Sequence, residues 1–179
     1  VPWRWPVAFG LLALLALVAA FGWQYLTAET VISSWIIGVF TRVPMNTIAG
    51  SHLIVVDGAQ PDGFALTLTA ECSTLPIVLA FITVSMVFAG TGKIPVQRIG
   101  RGMVWASVVT VTLNLLRLGC IGYFTHRWGI EGGFGFSHLY FGSVCTVLGI
   151  TAGMVLYGWL LVKRGKPVAA AAGGSEGTP

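Results

Sequence analysis

Cys72, Arg117 and His138 are the side chains of this chain best equipped for covalent chemistry on a carbonyl. Cys72 stands in "TAECSTLPIVLAF", residues 69 to 81, where a polar stretch turns into a long apolar run. A thiol of pKa about 8.5 becomes a working nucleophile when a cation or an imidazole stabilises its thiolate. Imidazole can then carry the proton to a leaving amine. A guanidinium can hold an oxyanion, or the thiolate itself, in a site with little water. The three groups together suit acyl transfer from a peptide bond through a thioester. Each alone has a plainer reading: an apolar filler for the thiol, an interfacial ring for the histidine, a snorkelling arginine for the third. Cys120 and Cys145 read as fillers of that kind.

Further residues could support this chemistry. Asn114 precedes Arg117 by one helical turn in "NLLR", so the two share a face. Glu71, beside the thiol, either orients Arg117, repels a thiolate or is a solvated acid. His126 and Arg127, in "THRWGIEGG", either contact a substrate backbone or belong to a wetted loop. The histidines and cysteines lack the spacing of a metal site, and no organic cofactor is indicated. "GGFGFS" is not a phosphate loop, having neither a strand before it nor a Lys-Ser/Thr after it.

These residues need elements to position them, and composition says where those elements lie. The 179 residues are 55% hydrophobic and 9% charged, outside the range of ordinary soluble domains and suited to a bilayer. The net charge of +4 is dispersed, with no basic stripe for nucleic acid. Runs at about 5–26, 72–92, 102–125 and 138–162 approach the roughly 20 residues that cross a membrane. The reading is one membrane domain over 1–162, an all-α integral membrane protein with four transmembrane helices. The first run has a rival reading as a signal peptide, but its apolar stretch exceeds the usual core of about 7–15 residues, which argues for an uncleaved anchor. Within the extracytoplasmic segment 27–71, "TVISSWIIGVFT" is too short to span and reads as an interfacial helix. Leu53, Val55, Phe64, Leu66 and Leu68 then alternate about a Gly/Pro/Asp turn as a short β-hairpin. Residues 163–179 read as a disordered cytoplasmic tail.

Charge sets the orientation. With the N-terminus in the cytoplasm, Arg4, Lys93, Arg98, Arg101, Lys163, Arg164 and Lys166 fall inside, seven of the ten basic residues. Both termini of a multi-pass protein of the bacterial cytoplasmic membrane then lie in the cytoplasm. Cys72 begins the second helix at the outer face, His138 begins the fourth there, and Arg117 lies about two turns below the outer end of the third. Three helices thus bring these groups to one outward-facing layer. A guanidinium in hydrocarbon costs at least about 2.5 kcal/mol, so it normally faces a bundle interior and a function.

On "AECSTLP", "NLLRLG" and "GFGFSHLYFG", the chain resembles the exosortase/archaeosortase family of membrane-embedded cysteine transpeptidases, over roughly residues 50–161. The resemblance implies Cys72 as nucleophile, Arg117 as the essential arginine and His138 as acid and base. It also implies the substrates: membrane-anchored secreted proteins with a C-terminal motif, a transmembrane helix and a basic tail. These are cut at the outer face and passed to an envelope acceptor. Two differences stand out: Thr74 occupies the position where the family pattern has glycine, and the chain is shorter than the many-helix members. The alternative is a non-catalytic polytopic subunit or small-solute carrier, with a polar path lined by Arg117 and Asn114. A membrane thiol–disulfide oxidoreductase is disfavoured, because no cysteine pair stands at the outer face.

Overall fold

An apolar helix, α1 (Arg4–Ala20), is followed after Phe21 by α2 (Gly22–Thr41), and the chain bends by 66° between them. The computed structural model describes residues 4–58 and 63–162; the expected tail at 163–179 and part of the hairpin turn, 59–62, lie outside this range. Gly22 lies at the bend, where a Cβ would stand 3.2 Å from Leu75 Cδ2. The interfacial helix expected after Glu29 is therefore not a separate element. It is the continuation of α2, which also takes residues 22–26 from the expected first span. No proline interrupts residues 22–41, and each added residue of a nucleated helix gains a bond at small cost. Arg42 ends it in the left-handed region at φ 59°, its N–H donating to Gly38 O.

A three-stranded antiparallel sheet follows: β1 (Met45–Ile48), β2 (Leu53–Val56) and β3 (Phe64–Thr67), in the order β1-β2-β3. The expected hairpin is β2–β3, with Ile54 opposite Leu66 and Val56 opposite Phe64. Its inward face on β2 is Ile54 and Val56, not Leu53 and Val55. "LIVV" is apolar at every position, so alternation alone does not select a face; pairing with Phe64 and Leu66 does. The added strand β1 gives the hairpin a third member, and its inner face packs with Ile37 of α2. The predominantly helical architecture thus carries the expected small hairpin, extended by one strand.

The remaining chain forms α3 (Leu75–Thr91), α4 (Val96–Gly129) and α5 (Gly142–Val162), with π-helical turns at Ile130–Phe134 and Ser137–Phe141 linking the last two. Two helices, Val96–Phe134 and Ser137–Val162, are long and apolar enough to cross a membrane, or up to three if the bent α1–α2 pair is one span. At 17 residues α3 is about 26 Å long. Small residues bring the helices close, as membrane packing requires. A Cβ on Gly102 would lie 2.9 Å from Tyr157, and one on Gly153 2.6 Å from Thr110 Oγ1. Tyr157 and Ser85 share a hydrogen bond of 2.7 Å across α5 and α3, amid Phe81, Ala89, Ile99, Ala106 and Leu161. Trp105, Val87, Val147 and Trp159 are exposed on the outside, as suits a surface facing lipid.

Candidate active site

Cys72 precedes α3 by one short turn, and that turn is tied down from two sides. Its own bonds are Cys72 N–H to Thr69 O (3.0 Å) and Ser73 N–H to Ala70 O (3.3 Å). The larger restraint is Glu29 of α2, buried at 5% exposure. One carboxylate oxygen accepts from the Ser73 hydroxyl at 2.5 Å. The other accepts from Thr74 N–H (3.2 Å), the Thr74 hydroxyl (3.1 Å) and Asn114 Nδ2 (3.0 Å). Thr74 spends its one hydroxyl proton on Glu29, so in the 2.6 Å Tyr25–Thr74 contact the tyrosine donates. Residues from α2 and α4 thereby hold the three residues Cys72, Ser73 and Thr74 at the head of α3. The expected helix start at 72 moves to Leu75 for this reason, with Pro76 in the first turn where its missing N–H costs nothing.

Asn114 joins the Cys72 backbone to the arginine. Its Nδ2 also donates to the Cys72 carbonyl at 2.9 Å, while its Oδ1 accepts from Arg117 Nη1 at 3.3 Å. Arg117 is 8% exposed, and its Nε finds no acceptor among the described residues. The guanidinium rests against Gly142, where a Cβ would stand 3.1 Å from Nε and 3.2 Å from Ser137 O. That glycine follows the π-helical turn carrying His138. Turns of this kind are uncommon and often accompany functional sites. Here the turn lies between the arginine's seat and the histidine, whose ring stacks on Phe134 at 5.0 Å.

Cys72 and His138 line the same cavity, of about 170 Å³. Its apolar walls include Leu118 and Ile121 of α4, with Phe64, Leu66 and Leu68 contributed by the sheet side. Arg117 does not line it. It lies beside a second space of about 10 Å³ with Asn114, Thr110, Cys145 and Thr146. Of the expected trio, Cys72 and His138 therefore line one cavity, while Arg117 lies outside it, hydrogen-bonded to Asn114. Glu71 is exposed and has no hydrogen bond or ion pair among the described residues. Arg127 is exposed in the last turn of α4, which continues through the expected loop to Gly129. Neither lines the cavity, because the turn and the helix end carry them outward. Glu29, Tyr25, Ser73 and Thr74 escaped the sequence reading. The available signal was an acid within an apolar stretch, four residues after a tyrosine and so on its face. No protein-family model, curated protein or solved structure matches the chain.

Proposed function

We propose that the chain is a membrane cysteine transpeptidase or protease of the exosortase/archaeosortase type. On this reading α1, α3, α4 and α5 cross the bacterial cytoplasmic membrane, both termini are cytoplasmic, and the cavity faces outward. The substrates are membrane-anchored secreted proteins with a C-terminal motif, a transmembrane helix and a basic tail. The observation that carries the proposal is the cavity lined by both Cys72 and His138.

His138 removes the thiol proton, and the sulfur attacks the scissile carbonyl carbon to form an S–C bond. Collapse of the tetrahedral adduct breaks the C–N bond, and the departing nitrogen takes the proton from His138. Water, or a hydroxyl or amine of the envelope, then attacks the thioester carbon. His138 takes its proton, the S–C bond breaks as the second adduct collapses, and the departing sulfur takes that proton from His138. Arg117 places positive charge behind the Cys72 carbonyl through Asn114, which favours the anionic states in a site of low dielectric. The solute-carrier alternative needs a path past Arg117 and Asn114, but the space there, about 10 Å³, holds a single water at most.

Co-expression of a tagged secreted protein bearing such a C-terminal signal tests the reading. Maturation should occur with the wild type and vanish with Cys72→Ala and His138→Ala, and hydroxylamine should release the donor from a Cys72 thioester. Equal maturation in every strain would end the enzymatic proposal.

A further inference from the structure

The outer edge of β3 offers main-chain groups that have no hydrogen-bond partner among the described residues. Leu68 N–H donates to His52 O at 3.0 Å, which makes His52–Leu68 a hydrogen-bonded pair of the β2–β3 ladder. In an antiparallel ladder such pairs alternate with pairs that are not bonded. The register places Ile54–Leu66 and Val56–Phe64 in the bonded set. The N–H and C=O groups of Ala65 and Thr67 therefore point away from β2. The strand order β1-β2-β3 puts nothing on that side, and both residues are exposed.

This edge belongs to the cavity. Ala65, Leu66, Thr67 and Leu68 line it together with Cys72 and His138, and the turn closed by the Cys72 N–H to Thr69 O bond follows β3 directly. A row of outward N–H and C=O groups is matched by another extended backbone. The cavity, at about 170 Å³, is smaller than the roughly 300–1,000 Å³ of small-molecule sites. It can take a side chain or two of a strand lying along its rim. A strand there would alternate its side chains between the helix wall and solvent.

We propose that the peptide to be cut docks as a fourth strand on β3, hydrogen-bonded to Ala65 and Thr67, and is thereby led to Cys72. This rests on the transpeptidase reading and extends it: recognition is carried by the extended main chain of the substrate, with side-chain preference confined to positions facing Leu118, Ile121 and Phe134.

The test is residue-resolved amide hydrogen exchange on the full chain in lipid nanodiscs, as Cys72→Ala so that no covalent step intervenes. The probe is a short capped peptide of alternating valine and threonine, with a copy N-methylated at alternate amides as control. Saturating peptide should slow exchange at Ala65 and Thr67 by at least about tenfold and leave Leu66, already bonded to β2, unchanged. The N-methylated copy should give no protection. Absence of protection by the parent peptide, or equal protection by both, overturns the proposal. So does protection that appears without peptide and grows with protein concentration, since a second copy would then own the edge. Ala65→Pro and Thr67→Pro remove only outward donors, a change edge strands tolerate. In the Cys72-containing protein each should slow alkylation by a vinyl sulfone of the same peptide, with iodoacetamide alkylation retained. Because exchange is read without catalysis, its outcome is separable from loss of the maturation phenotype.

Discussion

Glu29 is the residue on which the local geometry around Cys72 turns. Four donors converge on its two oxygens, and removing a buried acceptor leaves each donor with a penalty of about 1–3 kcal/mol. Glu29→Ala should therefore destabilise the protein by at least about 3 kcal/mol in denaturant unfolding in micelles. Glu29→Gln keeps an acceptor oxygen and should fall between it and wild type. Tyr25→Phe removes one hydrogen bond to Thr74 and should cost about 1 kcal/mol. In a cycle with Thr74→Val it should show a coupling of about 0.5–1.5 kcal/mol. Thr74, where the proposed family's pattern has glycine, is 1% exposed, with its hydroxyl and N–H both committed to the Glu29 network. The candidate residues Cys72, Arg117 and His138 stood out in the sequence because such side chains are uncommon within long apolar runs. Glu29 did not, since its value lies in donors 44, 45 and 85 residues away.

At the scale of elements, the return from α4 to α5 decides where His138 and Arg117 sit. A Cβ on Gly133 would overlap the Phe124 carbonyl oxygen, whereas one on Gly132 meets nothing within 4 Å. Gly133→Ala should therefore lower the unfolding midpoint and slow maturation, while Gly132→Ala leaves both unchanged within about 0.5 kcal/mol. Gly142→Ala is the milder case. Its Cβ would come within 3.1 Å of Arg117 Nε and shift the guanidinium by a few tenths of an ångström. Maturation should fall more than the unfolding midpoint does, because the guanidinium that yields is the one hydrogen-bonded to Asn114. Periodicity revealed the long apolar segments but missed the bend at Phe21 and the π-helical turns. Both stand beside close approaches between residues of different elements, Leu75 beside Gly22 and Phe124 beside Gly133, that local periodicity does not report.

For the whole molecule, the proposed function requires that the cavity face outward, where secreted substrates would reach it. Cysteines introduced at Glu131 and at Lys93, in a background of Cys72→Ala, Cys120→Ala and Cys145→Ala, read it directly. A membrane-impermeant maleimide added to intact cells should label the first and spare the second until the cells are lysed. The reverse pattern would place the cavity in the cytoplasm, where a substrate's outer motif never arrives. Exposed Trp105, Trp159, Leu148 and Met154 should be covered by acyl chains in either orientation.

The amino-acid order alone determined that this chain is apolar enough to suit a bilayer, which segments are long and apolar, and which side chains are of types that could act on a carbonyl. Those properties follow from composition and run length, and they need no knowledge of what packs on what. Only the tertiary structure decided that Cys72 and His138 share a cavity while Arg117 reaches the thiol's loop through Asn114. It also decided that Glu29 anchors that loop, and that a strand edge runs beside the thiol. Burial and hydrogen-bond direction arise between segments far apart in the chain, where local pattern carries no information about the partner.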